Sequence, residues 1–380
     1  MLNRRTVVGM TALALLAGCK VIPKGVPAPK PEPTEVPSDA LPKDAQRHRV
    51  ALLVPLSGAN AAVGEAIANA TMLALLDTNA QSLRITNYDT SGGAAAAAQR
   101  AIADGNKLIL GPLQAEDVGA VAKVARAARV PLISYASEAE VAAPDVFVMG
   151  THLGNSLART VGWARAQGVV RFAALVPDGD YGRRAQAAFG QAVQQAGGSL
   201  VTMQSYTRGN TSVVSAAQRL KARGGFDAVL IADGPRAAAQ AAPQLKRAGA
   251  VVPRIIGTEL WSGESTIGTT PALRGAWFSA VSDARFKQFA EGYQSRFGAR
   301  PYRAATLGYD SVLLTIRIAR EWKPGTTFPV ARLRDRGGFL GLDGPFRFAA
   351  NGVVERALEV REARAGGVVV VSPAPAKFED

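Results

Sequence analysis

Beyond residue 49 the chain alternates short apolar runs with longer stretches in which apolar side chains recur every three or four positions. "RVALLVPLSG" is a compact apolar run ending in a turn, the pattern of a strand buried on both faces. Residues 62–77 follow with Val63, Ile67, Ala70 and Ala74 on one helical face. The alternation repeats: strand "LRITNYD", helix "GAAAAAQRAIADG", strand "KLILGP", helix "VGAVAKVARAA", strand "VPLISYAS". A second series runs through "RFAALVP", a helix over 183–196, "SLVTMQSY", a helix over 212–223, "DAVLIADG" and "PRIIGTE". Two successive strand–helix series predict an α/β protein of two doubly wound parallel-sheet lobes with a cleft between them. Right-handed crossovers line up the strand-to-helix loops along one edge of each sheet, where such folds hold their ligands.

Those loops are Pro55–Gly58, Gly111–Gln114, Ser134–Ser137, Asp178–Gly182, Asp233–Pro235 and Thr258–Trp261. Three passages between lobes are expected, near 150, 280 and 335. That gives a first lobe of 49–150 plus 281–334, a second of 151–280 plus 335–372, and a tail at 373–380.

The N-terminal pattern is different. Arg4 and Arg5 precede an apolar stretch from Val7 to Ala17, too short to span a bilayer comfortably. Leu16-Ala17-Gly18-Cys19 then matches the bacterial lipobox. The match implies a signal peptide over 1–18 and lipidation (palmitate among the acyl groups) of Cys19, the only cysteine. Residues 19–48 are dense in proline and poor in large apolar groups, so they cannot offset their ordering entropy by burial. They read as an extended tether, reaching roughly 90 Å at ~3.1 Å per residue.

Composition narrows the function. Hydrophobic residues at 48% and charged residues at 19% suit globular domains. The net charge of +14 is spread without a Lys/Arg cluster interleaved with aromatics, which argues against nucleic acid. With only two histidines and no G-x-S-x-G, H-E-x-x-H or phosphate-loop pattern, an enzyme is not expected, nor a metal or cofactor. His152, near the first passage between lobes, reads as a hinge or capping residue.

From about 49 to 372 the chain resembles the type I periplasmic binding proteins of the leucine-binding superfamily. "LLVPLSG", "LILGPLQ", "VPLISYAS", "DYGRRAQAAFGQAVQQAGG" and "LGYDSVLL" stand in that family's order. Judged by "ALLVPLSGANAAVGEAI" and "YGRRAQAAFGQAVQQAGGSLV", the subgroup it most resembles is the LppC/LpoA type, lipoproteins that activate penicillin-binding protein synthases of peptidoglycan. The resemblance implies ligand contacts at Ser57, Gln114, Ser134, Tyr135, Ala136 and Ser137 in the first lobe. In the second it implies Tyr181, from the "D-x-YG" turn, and Glu259, as partner of an amino-acid ammonium. Ser57 and Ser137 also fit simple helix caps; Tyr181 also fits packing over its turn, and Glu259 a solvated charge. Gly234-Pro235 departs from the amino-acid binders, which place an aromatic or hydroxyl residue there.

Two functions follow. One is a non-enzymatic envelope regulator, contacting a peptidoglycan synthase. The other is the solute receptor of an ABC importer for an amino acid or similar small polar ligand, partnered by a permease. The subgroup resemblance and the incomplete amino-acid grip favour the regulator. Lys20, rather than Asp, after the lipidated cysteine points to the periplasmic face of the outer membrane.

Overall fold

The computed structural model describes residues 46–246 and 252–378. The expected signal peptide, the expected lipidation site Cys19 and the expected tether up to residue 45 lie outside the described residues. His48, read as the end of the tether, instead opens the first strand: it is buried and stacks on Trp322, ring centroids 4.3 Å apart.

The first series builds β1 (His48–Val54), α1 (Ala61–Asp77), β2 (Leu83–Asp89), α2 (Ala94–Ala103), β3 (Leu108–Leu110), α3 (Ala115–Ala127), β4 (Leu132–Ser134) and β5 (Val146–Val148). The strands form a parallel sheet in the order β2-β1-β3-β4-β5. Val50 to Val54 of β1 are wholly buried, as a central strand covered on both faces requires.

The second series starts with α4 (Leu153–Ala166) and continues through β6 (Arg171–Pro177), α5 (Asp180–Gln195), β7 (Ser199–Tyr206), α6 (Ser212–Arg223), β8 (Ala228–Ile231), α7 (Pro235–Leu245), β9 (Arg254–Ile256), the short α8 (Thr266–Thr269) and β10 (Trp277–Ala280). The chain then returns to the first lobe as α9 (Ala284–Phe297) and α10 (Ala305–Ala319). Phe289 and Tyr293 of α9 pack with Ala66, Ala70 and Leu73 of α1. Gly308 lets α10 approach α1 closely, since a Cβ there would stand 2.5 Å from the Ile67 carbonyl oxygen.

The last passage differs from the sequence reading. A small antiparallel sheet, β11 (Phe339–Gly341), β12 (Gly344–Phe348) and β13 (Val354–Arg356), follows α10. Phe339, Phe346, Phe348 and Val354 sink into the same apolar core as β1, β3 and Phe147 of β5, so this sheet belongs to the first lobe. The return to the second lobe therefore falls between Arg356 and Glu359, not near 335. There β14 (Glu359–Arg364) and β15 (Gly367–Ser372) extend the second sheet antiparallel, giving β15-β14-β10-β9-β8-β6-β7. The tail runs back to the first lobe's β12, where the Arg347 guanidinium lies 4.6 Å from the Phe378 ring centroid.

The junction between lobes is densely hydrogen-bonded. His152 caps α4: its Nδ1 accepts from the Asn155 N–H at 3.4 Å, which leaves Nε2 to donate to the Val354 carbonyl at 2.9 Å. Burial holds this imidazole below its ordinary pKa, hence neutral, as that pair of roles demands. The Arg356 N–H donates to Asn155 Oδ1 at 2.9 Å, and its Nη2 to the Met149 carbonyl at 3.0 Å. Among the described residues no helix is long and apolar enough to cross a membrane.

Candidate functional site

Both sheets end their first strand in a proline followed by a helix that turns back over it. Gly64 in α1 and Gly182 in α5 make this possible: a Cβ would lie 1.7 Å from the Pro55 carbonyl oxygen and 1.6 Å from that of Pro177. The strand-end loops of each lobe thus begin on a tightly fixed turn.

In the second lobe these loops gather a partly buried polar cluster. The Tyr181 hydroxyl, on the first turn of α5, lies 3.2 Å from Glu259 Oε1 and 3.3 Å from Thr258 Oγ1. Glu259 Oε2 is sealed from solvent with no hydrogen-bond partner. Burial pushes this carboxyl up from its ordinary pKa, while the Tyr181 hydroxyl and the charge of Arg184 partly oppose the shift. The Arg208 guanidinium sits 5.1 Å from the Tyr181 ring centroid and pairs with Asp233 at 2.9 Å. The Tyr206 hydroxyl donates to Asp233 Oδ2 at 2.7 Å, and Trp261 Nε1 donates to the Asp233 carbonyl at 2.8 Å. Trp261 is fully buried and belongs to the core of this lobe rather than to the cleft wall. Gly234-Pro235 forms the start of α7.

The first lobe treats the expected residues differently. The Ser57 hydroxyl donates to Asp89 at 2.8 Å. Together with the Leu56 and Ser91 N–H groups it holds the Asp89 carboxyl well below the usual carboxylate range. Gln114 precedes α3 without capping it through its side chain, and its Nε2 lies 3.3 Å from Glu116 Oε1. Ser137 is exposed.

The other three side chains are engaged inside the lobe. Ser134 is fully buried, donating to the Pro112 carbonyl at 3.1 Å and accepting from the Ala136 N–H at 3.1 Å, so it closes the turn itself. The Tyr135 ring points into the core, its hydroxyl 2.8 Å from Ser311 Oγ on α10. Ala136 packs under the sheet edge beside Val118 and Val121. These three side chains are buried just where β4 ends, Tyr135 in one flanking core of the sheet and Ala136 in the other.

Two residues that the loop reading missed bring the lobes together. Glu138, following Ser137, reaches Arg184 in the first turns of α5, 3.6 Å away across the cleft. A signal was present: Arg183 and Arg184 stand near a helix N-terminus, where the macrodipole disfavours cations, so another reason for an arginine there was to be sought. A depression of about 850 Å³ between α1, α9 and α10 lies on the outer flank of the first lobe, remote from the strand ends. Among the described residues no group of three or more His, Cys, Asp or Glu could hold a metal.

Comparison with known proteins agrees with this fold. A family model described as periplasmic binding protein matches residues 48–367. The uncharacterized protein RP748 of Rickettsia prowazekii (strain Madrid E) is 27% identical over 141 residues, a match spanning 37% of this chain and 38% of that relative. Among solved structures, one described as a branched-chain amino acid ABC transporter from Rhodospirillum rubrum superposes with a TM-score of 0.73 at 22% identity, covering 86% of this chain and 100% of that one. A solute binding protein from Rhodopseudomonas palustris BisB5, in complex with 3,4-dihydroxy benzoic acid, gives 0.61 at 21% identity, covering 88% and 98%. LivJ from Streptococcus pneumoniae, in complex with isoleucine, gives 0.58 at 21% identity, covering 86% and 100%. At such identities the likeness is one of fold.

Proposed function

The chain belongs to the periplasmic binding protein family, and from that premise we propose that it is a solute-binding receptor of an ABC importer, taking an amino acid or similar small polar molecule. The observation that carries the reading is Glu259. Its carboxyl is desolvated at the strand ends of the second lobe, one oxygen is held by Tyr181, and the other lacks a partner. A desolvated charge without a partner is costly, and an ammonium group entering the cleft would offset that cost. The solved relatives of R. palustris and S. pneumoniae hold 3,4-dihydroxy benzoic acid and isoleucine. The grip of this chain on a standard amino acid is weaker than a full set of contacts would give, because Ser57 and Ser134 are engaged inside the first lobe. Dissociation constants at or above the micromolar range, roughly −8 kcal/mol, are expected for these.

In this reading the protein works on the periplasmic side, held by lipid on Cys19. The regulator of a peptidoglycan synthase is the second reading. It is favoured by Lys20 after the lipobox cysteine and by the proline-rich tether, which suit an outer-membrane anchor and a distant partner. Calorimetry with a panel of amino acids, amines and aromatic acids tests the receptor directly. At least one solute should bind, and Glu259→Gln should weaken it at least tenfold. A panel without a binder, or a bound solute indifferent to the substitution, would turn the assignment toward the regulator.

A further inference from the structure

Arg184 of the second lobe pairs with Glu138 of the first, and its charge also acts on Glu259. The Glu138 contact is 3.6 Å, with both side chains only about a third exposed. Glu138 is oriented for it, since its Oε2 accepts from the Ser137 N–H at 3.1 Å. The neighbouring Arg183 pairs with Asp180 on its own helix and remains largely exposed, so charge content at this turn does not account for the reach of Arg184 across the cleft. The opposing rim explains it. The loops that follow β1 to β4 and the first turns of α1, α2 and α3 carry Asp89, Glu116, Asp117, Glu138 and Glu140 and no lysine or arginine, in a chain of net charge +14, whereas α9 opens with Arg285 and Lys287. A second-lobe cation that approaches the loop after β4 therefore meets an acidic stretch of this rim.

Building on the solute-receptor reading, we propose that Arg184 and Glu138 form an interlobe latch, in which Arg184 holds the lobes together when no solute is bound. The pair is partly solvated, so it biases an equilibrium between open and closed lobes rather than locking it. An entering solute that carries an ammonium group adds a second positive charge beside Glu259, where the charge of Arg184 already acts, so solute selection and lobe closure are tied to one residue.

The test needs no solute. Dyes on unnatural amino acids at exposed Ser82 and Ala222 of the full chain, one on each lobe, report the interlobe distance by single-molecule energy transfer. Arg184→Ala should raise the open-to-closed ratio about two- to fivefold. Glu138→Gln should do the same, and the double variant should add nothing further, while Arg183→Ala leaves the distribution unchanged. Exchanging the charges, Arg184→Glu with Glu138→Arg, should restore the original ratio. An unchanged distribution in Arg184→Ala, or additive shifts in the double variant, would overturn the latch. Because these measurements use the unliganded protein, they can fail while the solute panel succeeds, and the reverse.

Discussion

At the scale of the residue, small groups set the site's frame. Gly64 and Gly182 each face the carbonyl of a proline at the end of a strand, and neither can take a Cβ without displacing backbone. Alanine gains up to about 1 kcal/mol of helix propensity over glycine, but the clash outweighs it. Gly64→Ala and Gly182→Ala are each expected to cost about 2 kcal/mol or more in denaturant unfolding. Gly162→Ala, in α4 with open space around it, should be neutral or stabilising. Glu259 carries a pH signature. Burial raises its pKa in the folded protein, so the folded state keeps this proton to a higher pH than the unfolded chain does. Folding stability contributed by this group therefore falls as pH rises from the ordinary carboxyl range through the raised folded value. Glu259→Gln should be more stable than the parent at neutral pH, and the difference should vanish near pH 4, as unfolding midpoints across pH would show.

At the scale of the element, the junction depends on β13 and α10. Arg356 and Asp310 are fully buried, 3.8 Å apart, and the Arg356 guanidinium lies 5.2 Å from the Phe346 ring centroid. Burial, and then the neighbouring Asp343, push the Asp310 carboxyl upward, while Arg356 draws it down. Removing one partner leaves the other uncompensated, so Arg356→Met should cost about 3 kcal/mol. Arg356→Met with Asp310→Asn should cost less than the two single changes together, by about 1 kcal/mol or more in a double-mutant cycle. Strand β14 shows a related economy. Glu359 and Arg361 are buried there because they pair with each other at 2.7 Å, and Arg361 also donates to the Val281 carbonyl. Its alternation of charges hid this strand from a search for apolar runs, just as their brevity hid β5 and β10.

At the scale of the whole molecule, the open question is where the domain works. Cys19→Ser should take up no labelled fatty acid and escape processing at that position; normal labelling would refute the lipobox reading. Deleting about 20 residues between Val21 and Pro42 separates the two functions by reach. A receptor docking on a permease in its own membrane should keep its uptake activity, whereas a regulator crossing the periplasm should lose activation in cells with its fold intact.

The periodicity of apolar residues by itself determined two α/β lobes and the order of their principal strands, because strand and helix patterns are local and each buried run carries its own signature. The family resemblance, not the periodicity, singled out Tyr181 and Glu259, which the structure brings within 3.2 Å. Only the tertiary structure decided that β11–β13 serve the first lobe, that Ser134 and Tyr135 turn inward, and that Glu138 meets Arg184. Those outcomes depend on which side of a strand a residue faces and on partners tens to hundreds of positions away. Tyr135 and Ser311, 176 residues apart, meet only once α10 has packed back on the first sheet. Such long-range pairings follow from the packing of whole elements and leave no trace in the spacing along the chain.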